Sequence, residues 1–303
     1  MFTTQTGVII PTRNRVSNLL FTLNFFFKNK INFYKIVVVD SSDKHLSDKI
    51  ISICNKFNVD LFFSKPSTSA QRNIGLKKLI KYKLKYIMFL DDDLKFYKNS
   101  FKIMDLNIKK NQNYAGYCFN YSNFQEKNSF LHLIKTSKFI ENIGLYSSRP
   151  GLILDSGWHT KITSLKKNIT TQWLPTSCSI YKKKFIIKKY FNKSFGSYSY
   201  LEDLDFSLQI NPKRLDIFYV VAGAKFLHLK SIIRTSYIFG YYEFLNRYKI
   251  VEKFDFKKKD FFKMAFLKVI LTIFSILINY KNTFKLFGNI RGLVTCLILS
   301  FNK

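Results

Sequence analysis

The chain has 303 residues, 47% of them hydrophobic and 17% aromatic, so it can bury a sizeable core and is not a disordered polymer. Its 50 Lys and Arg against 19 Asp and Glu leave a formal charge of +31, which favours an anionic partner such as nucleotide phosphate, nucleic acid or an acidic membrane face. The joint abundance of Lys, Asn, Ile, Phe and Tyr is also the drift of an AT-rich genome, so the charge alone selects no partner. Cys54, Cys118, Cys178 and Cys296 form no CxxC pair and no metal-type spacing, which implies a reduced compartment. The first seven residues lack the basic and apolar regions of a signal peptide, and the main domain is expected in the cytoplasm.

In chain order, residues 7–11 (Gly-Val-Ile-Ile-Pro) read as a short buried strand that Pro11 ends. A polar loop, Thr12-Arg13-Asn14-Arg15, precedes a helix capped at Ser17 or Asn18, with Leu19, Leu23 and Phe26 on its apolar side. A second strand over 35–39 closes at Asp40. A helix over 46–57, a strand over 59–63 and a helix over 70–80 follow. This alternation predicts a parallel α/β sheet with helices on both faces and all strand ends on one edge, where such sheets bind ligands. No GxGxxG follows the first strand and no GxxxxGK[ST] occurs, so neither a dinucleotide fingerprint nor a P-loop is supported.

Tyr86–Leu90 has the length and apolarity of a buried strand, and Asp91, Asp92 and Asp93 arrive together at its carboxyl end. Three adjacent carboxylates repel one another unless a cation or a set of donors neutralises them, and hard oxygen ligands suit Mg²⁺ or Mn²⁺.

Four blocks now stand in order: Val-Ile-Ile-Pro-Thr-Arg-Asn-Arg, Val-Val-Val-Asp-Ser-Ser, Ala-Gln-Arg-Asn-Ile-Gly-Leu and Phe-Leu-Asp-Asp-Asp. Together they resemble the nucleotide-sugar domain of family 2 glycosyltransferases, which have the GT-A fold, over roughly residues 7–250. The resemblance implies that Pro11, Thr12, Arg13 and Asp40 hold the nucleotide base and ribose. It also implies that Arg72, Asp91 and Asp92 meet the donor, and that Asp93 and Asp91 hold the cation. On chemical grounds Asp40 can accept from a base N–H, and Arg72 stands in a helix start suited to an anion.

After a helix and a strand over 99–121, the pattern weakens between 122 and 167 and reads as an acceptor-side insertion; neither His132 nor His159 is given a role. The run from Gln172 and Trp173 resembles the family's second conserved region, which puts Trp173 on the acceptor side, as a sugar-stacking or core ring. Glu202 and Asp203 open a helix with Leu204 and Leu208 on its buried side. By resemblance this is the Glu-Asp motif: Asp203 is the expected general base, with Glu202 on the acceptor side. His228 follows a short apolar run, where related enzymes complete the metal site or contact the diphosphate.

Residues 261–278 and 284–301 are apolar stretches interrupted by Lys and Arg and preceded by Lys257, Lys258 and Lys259. They are expected to dock as interfacial helices on the cytoplasmic leaflet, or to pack as a helical pair. The expected organisation is a GT-A domain over 1–256, divided into a nucleotide-sugar half (1–121) and an acceptor half (122–256), then an apolar appendage over 257–303. The expected activity is an inverting, metal-dependent transfer from a nucleotide-diphosphate sugar to a hydroxyl of a surface glycan or lipid-linked acceptor, with no nucleic-acid partner. The rivals are another DxD metal enzyme and a non-catalytic basic protein that binds membrane or nucleic acid.

Overall fold

The computed structural model describes residues 1–122, 136–196, 199–229 and 234–302, so His132 lies outside the described residues. Two compact units emerge: Met1–Phe124 with Ile162–Ser231, and Gln125–Lys161 with Ile232–Lys303.

The first unit is built on a sheet whose strands are β1 (Thr6–Thr12), β2 (Lys35–Asp40), β3 (Asp60–Phe63), β4 (Tyr86–Leu90), β5 (Leu94–Phe96), β6 (Gly116–Tyr121), β7 (Ile169–Thr171), β8 (Cys178–Lys182) and β9 (Phe218–His228). The order is β3-β2-β1-β4-β8-β6-β9-β5, with β7 on β9. The β3-β2-β1-β4 part is parallel, as the alternating pattern predicts. Beyond it the sheet is mixed, because β8 runs antiparallel to both β4 and β6. No single crossover helix links β4 to β8, so nothing forces that pair to be parallel.

Successive residues of a strand face opposite sides, and β1 uses both. Val8 and Ile10 pack with Leu19, Leu23 and Phe26 of α1 (Val16–Lys28) and with Ile50 and Ile53 of α2 (Lys44–Lys56). Ile9 faces α3 (Thr68–Leu79), where a Cβ on Gly75 would stand 2.5 Å from Ile9 Cγ2. Glycine is what lets α3 lie directly on the strand. The helices α4 (Ser100–Lys110), α6 (Lys183–Ile186) and α7 (Glu202–Ile210) complete this unit.

Two local readings change. Pro11 does not end β1, which pairs on through Pro11↔Val39 and Thr12↔Asp40. Thr12 O accepts from Ser41 N on the β2 side, so the N–H that proline lacks would point toward β4, whose pairing with β1 stops at Ile9. In addition α1 starts at Val16, two residues early, which places Arg15 at its N-cap.

The second unit holds α5 (Lys138–Asn142), α8 (Tyr237–Lys253), α9 (Lys258–Ile276) and α10 (Asn282–Phe301). A Cβ on Gly240 would collide with Lys285 O, one on Gly288 with Tyr237 O, and one on Gly292 would lie 2.8 Å from Tyr241 O. Backbones meet at these three glycines. The compact units therefore do not follow a boundary at 256/257: α8 packs with the two apolar helices. Residues 136–161 join them, since buried Arg247 donates to Gly157 O at 2.6 Å and stacks its guanidinium 4.4 Å from the Trp158 ring.

Candidate active site

The parallel strands deliver Thr12, Asp40 and Asp91 to one edge of the sheet. Gln71 of α3 ties two of these ends together, its Nε2 donating to Thr12 O at 2.8 Å and to Val39 O at 2.7 Å. This residue lay inside a recognised block, but nothing in its own pattern marked it as a brace.

The three aspartates divide by their partners. Asp92 is 2% exposed and turns inward, accepting from Thr12 Oγ1 at 2.6 Å and Arg15 Nη1 at 3.0 Å. Asp92 and Asp93 lie in the turn between β4 and β5, so their partners rather than a strand pleat set their directions. Asp93 accepts from Arg15 Nη1 at 3.1 Å, and His228 Nδ1 lies 3.3 Å from its other oxygen. The β5–β9 ladder, which pairs Leu94 with His228, brings the imidazole there. One ligand atom each from Asp91, Asp93 and His228 falls within 4.8 Å of the others. Two hard carboxylates and an imidazole are a donor set suited to a divalent cation such as Mn²⁺ or Mg²⁺.

Electrostatics sharpen the division. Burial pushes the Asp92 carboxyl up to about 6, against the pull of Thr12 and Arg15. Burial acts the same way on Asp93, but His228 and Arg15 outweigh it and hold that group below its usual range. His228 is raised in turn, since Asp93 and Asp91 overcome the desolvation that favours the neutral ring.

Arg72 stands in α3, whose first turn is capped by Ser67 Oγ accepting from Ala70 N. Its guanidinium, 3% exposed, donates to Asp91 Oδ1 at 3.0 Å through Nη2 and to Glu202 through Nη1. Ser69 Oγ donates to the second Glu202 oxygen at 2.9 Å. Burial, reinforced by Asp203 and Asp91, drives Glu202 up to about 7 although Arg72 opposes it. Among the described residues Arg72 Nε and Asp40 Oδ2 have no hydrogen-bond partner. The other Asp40 oxygen accepts from Ser42 N at 2.9 Å, so one buried acceptor at the end of β2 is left over for a donor such as a base N–H.

Asp203 is half-buried in the first turn of α7 and accepts from Leu204 N at 2.8 Å. The chain reaches it through Ser199 and Leu201, both at positive φ (48° and 70°), a conformation costly for leucine. Several expectations are redirected. Glu202 does not reach toward an acceptor, because Arg72 and Ser69 occupy its carboxylate. Trp173 is 5% exposed and fills the core, which leaves no ring face for a sugar. Thr12 and Asp92 bond each other beneath the surface and are not open to a donor. Pro11 is buried within β1, and Arg13 is exposed; it is Arg15 that clasps the aspartates. The signal for Arg15 was its place one turn from the strand end, at a helix start that the sequence put two residues later.

The sequence model described as glycosyl transferase family 2 matches residues 7–188. The chain belongs to glycosyl transferase family 2. An uncharacterized glycosyltransferase of Rickettsia felis is 28% identical to this family 2 chain over 142 residues, 46% of this chain and 23% of that protein. The chain thus spans about a quarter of the length of the curated relatives it matches. Among solved structures, residues 1–349 of TarS from S. aureus superpose with a TM-score of 0.50 at 13% identity, covering 92% of this chain and 74% of that one. GalNAc-T7, solved with UDP, GalNAc and Mn²⁺, gives 0.51 at 13% identity, covering 91% and 58%. These likenesses show the fold, the GT-A arrangement that the four blocks imply.

Proposed function

We propose that this family 2 chain transfers a sugar from a nucleotide-diphosphate donor to an acceptor hydroxyl with inversion at the anomeric carbon. The observation that carries the reading is the meeting of Asp91, Asp93 and His228 beside Arg72, at the edge where Asp40 keeps a spare buried acceptor. Asp40 takes the base, and Arg72, held by Glu202, offers guanidinium N–H groups to a diphosphate oxygen. Asp91, Asp93 and His228 would hold a divalent cation, Mg²⁺ or Mn²⁺, which when bound neutralises charge on the departing diphosphate. Asp203 accepts the proton of the attacking hydroxyl, and a single displacement by that hydroxyl inverts the centre. The presence of UDP, GalNAc and Mn²⁺ in the GalNAc-T7 structure supports a donor and a metal of these classes. A surface glycan or lipid-linked acceptor is part of the same proposal.

The test is hydrolysis and transfer with a panel of nucleotide sugars, with Mn²⁺ or Mg²⁺ added and then chelated. Metal-stimulated turnover of at least one donor, yielding an inverted anomer by nuclear magnetic resonance, is expected. No turnover with any donor would leave the non-catalytic basic protein as the better reading, and a retained anomer would overturn the single displacement.

A further inference from the structure

The three long helices of the second unit bury a polar cluster among apolar residues such as Phe244, Phe261, Met264, Leu271 and Leu293, and leave further apolar side chains outside. Glu243 of α8, 5% exposed, holds Lys285 at 3.0 Å and Lys268 at 3.7 Å. Asn289 donates to Gly240 O at 2.9 Å and to Glu243 at 3.3 Å, and Thr272 Oγ1 donates to Asn289 Oδ1 at 3.3 Å. On the outside Phe266, Ile270 and Phe274 follow one another along α9, and Phe287, Val294 and Phe301 along α10, each between 48% and 84% exposed. The spacings of four residues in α9 and seven in α10 make one continuous stripe per helix. A helix pair built for water carries polar residues along such outer stripes.

Charge selects the occupant of this face. Residues 261–302 contain Lys263, Lys268, Lys281, Lys285 and Arg291 and no Asp or Glu. Lys268 and Lys285 face Glu243 and Lys263 pairs with Asp260, which leaves Lys281 and Arg291 exposed; a second copy would bring the same two cations to the contact, and at a formal +31 per chain the two copies would repel. A surface that is apolar below and anionic above fits both features. The lysines at the start of α9 contribute less than their sequence suggests, because Lys257 pairs with Asp155 at 2.6 Å and Lys258 with Glu252 at 3.4 Å.

We infer that the outer face of the α9–α10 hairpin is seated in the interfacial layer of an anionic lipid bilayer, with both helices lying along one leaflet. Asn282–Phe301 is long and apolar enough to cross, with a mean hydropathy of 1.4 and 28% of it buried. Against crossing stands Arg291, exposed near the middle of α10 with Nη1 on Tyr237 Oη at 2.9 Å. A spanning α10 would carry that guanidinium to the bilayer centre, whereas an in-plane helix lets it rise to the headgroups. This inference concerns the second unit alone and is independent of the catalytic reading.

Full-length protein is mixed with phosphatidylcholine vesicles, with or without a quarter phosphatidylglycerol, and floated on a density gradient. Binding to both is expected, stronger with the anionic lipid and only partly reversed by salt. A Phe266→Glu, Phe287→Glu double variant should lose at least about 10-fold in partition while keeping its circular dichroism and thermal midpoint, since both rings face outward. Ile298→Glu serves as an independent variant if the double one does not fold. A wild-type chain that stays at the bottom with both vesicles overturns the inference. So does a folded variant that floats like wild type, or a dimer that the substitutions dissociate without any vesicle binding. For orientation, Lys281→Cys and Phe301→Cys are labelled with an impermeant maleimide added outside the vesicles. Labelling of both supports the in-plane helix, and labelling of one alone refutes it.

Discussion

Buried charge is handled in opposite ways in the two units. In the first, Asp91, Asp92, Asp93 and Glu202 share two arginines and a histidine, and two of the four carboxyls are driven up, Asp92 to about 6 and Glu202 to about 7, chiefly by burial. In the second, one carboxylate, Glu243, resists the same desolvation because Lys285, Lys268 and Arg247 surround it, and its pKa is lowered. An anionic cluster short of cations is poised to take one up; a carboxylate already saturated by lysines is structural. Burial alone does not separate the two cases, but the sign of the leftover charge does.

Four experiments would break or sharpen this contrast. The largest effect is expected at the unsaturated cluster: Asp93→Ala should abolish metal-stimulated donor hydrolysis, and Asp203→Asn should cut transfer by roughly 10² to 10⁴ while donor affinity holds. Calorimetric titration of Mn²⁺ beside the turnover assay checks both, and an unchanged rate in Asp203→Asn would reduce that residue to a helix-start carboxylate.

Next is Glu243→Ala, which strands Lys285 and Lys268 in a buried setting. Breaking a buried ion pair from one side costs about 3–5 kcal/mol, so a clear drop in the denaturation midpoint is expected. Wild-type stability in that variant would show that water reaches the lysines.

The third compares pH responses. Glu202 has a folded pKa of about 7 against an ordinary 4.5, so its stabilisation is complete below 4.5 and fades as pH rises through 7. Glu243 is shifted the other way: its contribution is present above 4.5 and is lost as the solution is acidified below that. Thermal midpoints of wild type, Glu202→Gln and Glu243→Gln between pH 2.5 and 8 should therefore diverge at opposite ends of the range. Parallel curves would refute both assignments.

The smallest difference separates two neighbouring arginines. Arg15→Ala leaves Asp92 with Thr12 as its hydrogen-bond donor and should cost about 1 kcal/mol or less, since Arg15 is half-exposed. Arg13→Ala should stay within about 0.5 kcal/mol. Equal losses in chemical denaturation would mean that the clasp on Asp92 and Asp93 contributes nothing.

The apolar runs of β1, β2 and β4, the carboxylates at their ends and the helices between them were legible because each is a local pattern, a period or a stop, written in consecutive residues. The four ordered blocks carried the family for the same reason. Which carboxylate faces which way was not local. Asp92 turned inward because Thr12, 80 residues away, stood across the β1–β4 pair, and Asp93 met His228 across 135 residues because β5 and β9 share a register. Glu202 was drawn to Arg72 across 130 residues, a pairing that no spacing announces. The allegiance of α8 was likewise decided in three dimensions, by Gly240, Gly288 and Gly292 at a helix contact whose two sides lie some 45 residues apart in sequence. A sequence states the period of an element and the chemistry of its ends. A charge at 3 Å acquires its partner only when the sheet register and the helix contacts have been set, because the energy that chooses it depends on distance through space and on the water that burial removes.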